Sequence, residues 1–140
     1  MLLLDTNVVS ELRRVRAGTA DPNVSRWIEV LDTAVLFVSV ITVNELETGV
    51  LLAERRDPQQ GLLLRRWLET LVLPVFDGRI LPVDVAVGRR AAKLHVPDPR
   101  PINDALIAAT ALVHGMTLVS RNVRDFEGMG VTVLNPWLPH

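Results

Sequence analysis

The sequence contains no cysteine, and this absence excludes disulfide bridges, thiolate nucleophiles and zinc–thiolate sites together. It also has no apolar run long enough to span a membrane. Asp5 interrupts the apolar N-terminus before the hydrophobic region of a signal peptide develops. We therefore expect a protein of the cytoplasm, with no membrane partner.

Net positive charge is absent as well. The 15 lysines and arginines are balanced by 16 acids, which gives a formal net charge of −1. No global field therefore draws the chain toward nucleic acid or an anionic membrane. Any contact with RNA must depend on local patches or on metal ions. Lys93 is the only lysine, so the remaining cations are arginines, whose planar fork suits phosphate.

Several catalytic signatures are missing too. There is no Walker A sequence and no G-x-G-x-x-G turn, so the common phosphate-binding loops are not predicted. The histidines are scattered and have no serine or acid pattern beside them, so they are expected to be ordinary surface or helix-end residues: His95, His114 and His140. A nucleophilic triad is therefore not predicted.

The hydrophobic pattern predicts one domain, residues 1–140, in which strands alternate with helices. Strands are predicted at 2–4, 34–40, 80–83, 117–120 and 131–134. Helices are predicted at about 6–14, 24–31, 42–56, 61–73, 85–95 and 102–114. This alternation indicates an α/β fold with a mainly parallel central sheet flanked by helices. In such sheets ligands bind beyond the carboxyl ends of the strands.

Four acids fall at these strand ends or at the helix starts that follow them. Asp5 ends the first strand, and Glu45 lies in the first turn of the helix after the second. Asp104 lies in the first turn of an alanine-rich helix, and Asp125 follows the TLVS strand. Because parallel strands end at one edge, we expect the four side chains to meet there. Carboxylate oxygens are the ligands of hard cations such as Mg²⁺.

Each acid also has a purely structural interpretation. Residues 42–45, TVNE, match a capping box, and the helix dipole favours Asp104 in a first turn whatever the protein does. Asp125 could be a turn residue or a solvated charge, and Asp5 could cap the helix behind it. From the individual residues both interpretations stay open, and the shared edge is what favours a site.

Four segments resemble motifs of the PIN-domain family, specifically toxins of the VapC or FitB type. LLLDTNVVSE resembles the signature that ends the family's first strand, and SVITVNELETGV resembles its second acidic motif. INDALIAATAL resembles the helix that carries the third acid, and LVSRNVRDFEGMGVTVLNPW resembles the closing segment. The four occur in the family's order and span nearly the whole chain. The resemblance implies a single PIN-like domain.

The resemblance also assigns site residues. It implies that four acids bind the metal and carry catalysis: Asp5, Glu45, Asp104 and Asp125. Polar neighbours are implied to orient these acids through hydrogen bonds: Thr6, Asn7, Ser120 and Asn122. In some members the fourth ligand stands at the position of Asn122, so the choice between Asp125 and Asn122 stays open.

The implied activity is that of an endoribonuclease dependent on Mg²⁺ or Mn²⁺, the toxin of a type II toxin–antitoxin pair in the bacterial cytoplasm. A water activated by the metal would attack the phosphodiester, and Glu45 or Asp125 would accept the proton. The products would carry a 5′-phosphate and a 3′-hydroxyl.

Partners follow from the same resemblance. We expect a DNA-binding antitoxin whose C-terminal segment covers the active site, with DNA contacted only through that antitoxin. A homodimer is expected, within a larger hetero-oligomer when the antitoxin is bound. Arg13, Arg14 and Arg16 are candidate contacts to RNA phosphates, although a solvated helix face explains them equally well.

Two other classes of α/β protein require acids or lysines that this sequence does not place correctly. A receiver domain needs paired acids after its first strand and a lysine at its last strand, but Lys93 lies within a predicted helix. A haloacid dehalogenase needs an aspartate where Asn7 stands. A catalytically silent PIN-fold protein, which pairs with a DNA-binding antitoxin to regulate transcription, remains the alternative function.

Overall fold

Five parallel strands form the centre of the computed structural model, which describes residues 1–139. The strands lie in the order β3-β2-β1-β4-β5, and each neighbouring pair is parallel. Their bounds are β1 Leu2–Leu4, β2 Leu36–Ser39, β3 Ile80–Leu81, β4 Thr117–Val119 and β5 Val133–Leu134. The predicted α/β fold with a parallel sheet is confirmed, although most strands are shorter than expected. His140 lies outside the described residues, so the domain boundary at 140 stays a prediction.

Helices connect the strands and cover the sheet. Their bounds are α1 Thr6–Ala17, α2 Pro22–Glu29, α3 Val40–Arg56, α4 Pro58–Trp67, α5 Leu73–Val75, α6 Val85–Leu94 and α7 Ile102–His114. A π-helical segment, Leu68–Val72, joins α4 to α5. Short 3₁₀ turns precede β2 at Thr33–Val35 and follow β4 at Val123–Phe126. Among the described residues, no helix combines the length and apolar character that crossing a membrane requires.

Three helix starts differ from the expected ones because of their caps. Helix α2 begins at Pro22 rather than at residue 24, with Asp21 as its cap. Helix α3 begins two residues early, since the Ser39 side chain accepts a hydrogen bond from the Ile41 N–H at 3.0 Å. Helix α4 begins at Pro58 rather than at residue 61, with Asp57 as its cap. Proline suits a first helical position because its missing N–H would have no partner there.

The sheet separates two apolar clusters. Leu4, Val38 and Val119 point to the side packed by α1 and α3, where Val8 and Leu46 complete the cluster. A second cluster on the other side includes the residues directly before Leu4 in β1 and Val119 in β4, packed against α7: Leu3, Leu118 and Ile107. Successive residues of a strand face opposite sides, so each three-residue strand contributes to both. Full burial of each such side chain stabilises the fold by about 1.5–3 kcal/mol.

The strand order also creates a crevice. The connection after β1 runs toward β2 on one side, and the connection after β4 runs toward β5 on the other. The helices that follow these strands therefore diverge, which leaves an opening beyond the carboxyl ends of β1 and β4. Asp5 follows β1 directly and Ser120 follows β4 directly.

Helices α3 and α4 pack as a close hairpin on one flank. A Cβ atom added at Gly61 would lie 2.4 Å from Glu54 Cα, so only glycine fits there. Across the same hairpin Arg65 forms ion pairs with Glu47 at 2.6 Å and Glu54 at 3.2 Å, and it pairs with Glu69, one turn further along, at 3.3 Å. The hairpin thus depends on backbone contact at its turn.

Gly61→Ala should destabilise the protein by about 2–3 kcal/mol, because the added methyl group forces two backbones apart. Gly49→Ala is the matched control: Gly49 lies within α3, and nothing approaches its Cβ position within 4 Å. That control should be stabilising by up to about 1 kcal/mol, from helix propensity alone. Urea unfolding of the two variants checks this, and equal stabilities would contradict it.

Candidate active site

Asp5 is both a helix cap and a member of the acidic site. Its Oδ1 accepts a hydrogen bond from the Thr6 backbone N–H at 2.8 Å, which caps α1. Its Oδ2 accepts from Ser120 Oγ at 2.7 Å and from Asn7 Nδ2 at 3.2 Å. The residue is 6% exposed, and this burial raises the pKa of its carboxyl, with Glu45 adding to the rise and the three donors opposing it. Asp5 therefore caps α1 and also lies near another acid of the cluster, so its structural and functional interpretations are compatible.

Hydrogen bonds connect the loop after β4 to the Asp5 carboxylate. Ser120 Oγ accepts the Asn122 backbone N–H at 3.0 Å while it donates to Asp5. Asn7 Oδ1 accepts the Arg121 backbone N–H at 3.1 Å. The hydroxyl and the amide thus fix the start of the loop that carries Asp125. Asn122 contributes its backbone N–H to this arrangement.

Glu45 is held from two sides. Its Oε1 accepts from Thr6 Oγ1 at 2.5 Å, and its Oε2 accepts from Asn103 Nδ2 at 3.3 Å. The capping-box interpretation of residues 42–45 is wrong, because Ser39 caps α3 and Thr42 is buried within the first turns. Glu45 therefore points across the edge of the sheet to α1 and α7.

The pKa of Asp104 shows that the four acids share one electrostatic environment. It is raised from 3.8 to about 6, first by burial and then by the charges of Asp125, Asp5 and Glu45. Arg100 opposes the rise. Like charges that are close together disfavour ionisation of one another. The charges of the other three acids therefore reach Asp104, and the binding of a metal by the four stays a prediction.

The acids do not form a ready-made cage, but their oxygen donors are of the type that a hydrated divalent cation prefers. Within residues 1–139, no group of three acidic or histidine side chains is placed to hold one metal ion. Mg²⁺ is usually held by one or two carboxylates and keeps several waters. A cation among these acids would also relieve the repulsion that raises the pKa of Asp104. The donor set therefore suits Mg²⁺ or Mn²⁺.

Two residues of the site were not identified from the sequence. Asn103 holds Glu45, and only its position directly before Asp104 in the INDALI motif pointed to it. Arg100 Nη2 donates to the backbone carbonyl of Asp125 at 3.1 Å and to that of Glu127 at 2.8 Å. It lies in the proline-rich loop 96–101, where no periodic pattern indicates which way a side chain points.

The three arginines of α1 lie in the second half of that helix. At about 1.5 Å per residue, Arg13 is about 12 Å along the helix from Asp5. Arg14 Nε lies 3.9 Å from Glu11, and Arg16 lines an apolar cavity of about 220 Å³ near Ile28. Their contact with RNA stays a prediction.

Comparison with known proteins gives consistent matches. The family model described as PIN domain matches residues 2–130. The chain is 37% identical over 144 residues to the VapC ribonuclease Y4jK of Sinorhizobium fredii, with 99% of each chain covered. It is 38% identical over 143 residues to the toxin FitB of Neisseria gonorrhoeae, which covers 98% of this chain and 99% of that protein. The solved structure of FitAB bound to an IR36 DNA fragment matches with a TM-score of 0.87 at 36% identity, over 100% of this chain and 99% of the other.

Asp104→Asn should stabilise the metal-free protein at neutral pH. Since the pKa of Asp104 is about 6 in the folded chain and 3.8 ordinarily, the folded state holds more protons between these values, and stability falls as pH rises through them. Without solvent screening, ionisation of Asp104 would lower the free energy of unfolding by about 3 kcal/mol. Screening of this half-buried group reduces the loss to roughly 1 kcal/mol. In EDTA we expect a Tm about 3 °C above wild type near pH 7.5 and equal to it near pH 4.

Asp98→Asn is the control, because Asp98 is exposed in the loop before α7. It should unfold like the wild type at both pH values. A difference for Asp104→Asn that stays the same at both pH values would contradict the titration of this carboxyl.

Mg²⁺ or Mn²⁺ should raise the Tm of the wild-type protein by several degrees, because binding to the folded state alone stabilises it by mass action. Asp104→Asn should abolish this rise, since it removes one carboxylate from the cluster. The measurement is a thermal unfolding series against metal concentration at neutral pH, with Asp98→Asn again as control. An undiminished rise in Asp104→Asn would remove Asp104 from the metal site.

Proposed function

Because this chain belongs to the PIN-domain family, among toxins of the VapC and FitB type, we propose that it is a metal-dependent endoribonuclease. In this proposal it is the toxin of a type II toxin–antitoxin pair and hydrolyses RNA phosphodiester bonds. The relatives named as VapC ribonucleases support the substrate class.

The observation that carries the proposal is the convergence of the four acids on one edge. They come from four separate segments, and three of them raise the pKa of the fourth, Asp104, to about 6. Such repulsion destabilises the metal-free fold and has no structural benefit. Perturbed pKa values of this kind are typical of functional sites. A cation site that handles a charged phosphodiester accounts for it.

The side chains of the site have separate roles in this proposal: metal binding, positioning of Asp5 and acceptance of a proton. The four acids would hold the cation, and Ser120 and Asn7 fix the Asp5 carboxylate. When bound, the cation lowers the pKa of water and offsets phosphate charge. Glu45 or Asp125 accepts the proton of the attacking water. In-line attack leaves a 5′-phosphate and a 3′-hydroxyl.

Thr6 and Asn103 keep Glu45 directed at the cluster. Arg100 holds the backbone beside Asp125 through two carbonyls. Of the two candidates for the fourth ligand, Asp125 is favoured because its charge reaches Asp104, whereas Asn122 supplies a backbone N–H to Ser120.

The proposed partner is a DNA-binding antitoxin whose C-terminal segment covers the acids. The solved complexes FitAB and VapBC bound to DNA support this choice. DNA is contacted through the antitoxin alone, and the pair acts in the bacterial cytoplasm. For the homodimer, exposed leucines on α3 and α4 provide apolar surface, each more than half exposed: Leu51, Leu52, Leu62 and Leu63.

The alternative is a catalytically silent partner of the antitoxin that acts only in transcriptional regulation. The same fold would serve it. The repulsive acid cluster favours the enzyme, because a silent protein gains nothing from retaining carboxylates that destabilise it.

The test is cleavage of end-labelled total RNA by antitoxin-free protein in Mg²⁺, Mn²⁺ or EDTA. Asp5→Asn should lower the rate by at least about 100-fold, since it removes a charge from the metal site. Asparagine also caps helices well, so the fold should persist. Asp21→Asn, the same change at the cap of α2, should cut like the wild type.

Discrete, metal-dependent products that Asp5→Asn does not form would support a site-selective ribonuclease. Equal behaviour of the wild type and Asp5→Asn would indicate contamination or no activity, and would favour the regulatory alternative.

A further inference from the structure

A polar cavity, distinct from the apolar one near Ile28, adjoins the acids on the β5 side. It has a volume of about 530 Å³ and lies beyond the ends of β4 and β5. Asp125 lines it, and the charge of Asp125 also raises the pKa of Asp104. The cavity therefore borders the acid cluster through Asp125. Its other polar walls are two arginines, Arg121 and Arg124, and two amides, Asn122 and Asn135.

The two arginines of this cavity are exposed cations with no ion pair to an acid among residues 1–139. Elsewhere in the chain arginines are used internally. Arg65 is surrounded by three glutamates, and Arg100 binds carbonyls. Since the chain has a net charge of −1, a polyanion that approaches the acids is repelled unless local cations compensate.

The Arg121 side chain is already oriented. Its guanidinium lies 5.2 Å from the centre of the Trp137 ring, in a cation–π contact. The backbone carbonyl of Trp137 accepts from Asn23 Nδ2 at 2.7 Å, and its N–H donates to Asn135 Oδ1 at 2.9 Å. Arg121, which lines the cavity, therefore contacts the ring of a residue whose backbone is hydrogen-bonded to α2.

We propose that this cavity binds the phosphodiester backbone of single-stranded RNA beside the bond that is cut. Arg121 and Arg124 contact the phosphates, and Asn122 and Asn135 offer amide donors. The inference rests on the proposed ribonuclease function and adds where its substrate lies. A backbone-binding groove of this kind gives affinity that is dependent on salt and insensitive to sequence.

The test is binding of a fluorescein-labelled single-stranded RNA of about 12 nucleotides to the full chain in EDTA, followed by fluorescence anisotropy at several salt concentrations. Arg121→Gln and Arg124→Gln should each weaken binding by about 3- to 10-fold. Each should also reduce the slope of log K against log salt by about 0.7, the value for one phosphate contact on a single strand. Both side chains are exposed, and Tm measurements verify folding.

Arg89→Gln is the matched control, because Arg89 lines a separate basic cavity of about 480 Å³ on α6. It should bind RNA within about twofold of the wild type, with the same salt slope. An equal loss in Arg89→Gln would mean diffuse attraction and would overturn the assignment of this cavity.

Two further arms separate the outcomes. Poly-L-glutamate should not compete with the RNA, and effective competition would instead indicate a surface for an acidic protein partner, against the proposal. Cleavage by the wild type in Mg²⁺ is measured in parallel. If the wild type cuts RNA but both variants bind like it, only this inference is wrong. If the wild type neither binds nor cuts RNA, the proposed function is wrong as well.

Discussion

The buried carboxylate of Asp5 is the contact on which the rest of the site depends. It accepts hydrogen bonds from the first turn of α1, from the side chain two residues on, and from the hydroxyl that follows β4. A buried charge is costly unless donors surround it. The fold supplies these donors by ending two neighbouring strands at the same level. Local helix capping and long-range assembly of the site are thus one interaction.

The charge of Asp104 is compensated less completely than that of Asp5. Burial and the charges of its three acidic neighbours raise the pKa of Asp104, and Arg100 offsets only part of this effect. Natural proteins retain destabilising groups where activity needs them. The apolar clusters on both faces of the sheet, together with the α3–α4 hairpin, provide the stability against which this repulsion is tolerated.

Much of the fold was predictable from the sequence because its signals are local. Helix α7 begins and ends where the pattern predicted, with Gly115 in the left-handed conformation after it. The strand before Asp5 and the strand before the loop of Asp125 were predicted too, since each is a short apolar run followed by polar residues. That these strands end at a common edge followed from the parallel sheet, whereas the order of the strands was not predicted.

Other features could not be predicted because they depend on contacts distant in sequence. The hydroxyl of Thr6 reaches Glu45 on another helix, and Asn103 approaches the same carboxylate from α7. The TVNE segment matched a capping box, yet the preceding Ser39 provides the cap. Nothing in the loop 96–101 indicated that Arg100 would turn toward the loop of Asp125. These contacts are properties of the folded chain rather than of any segment.

The hydrogen bond between Ser120 and Asp5 joins residues 115 positions apart, and this has a consequence for synthesis. Asp5 leaves the ribosome first, but its main side-chain donor comes only with the last part of the chain. A nascent or truncated chain that ends before Thr117 lacks β4, the loop of Asp125 and the cavity beside it. The arrangement that joins Asp5, Ser120 and the loop of Asp125 can thus form only when translation is nearly complete.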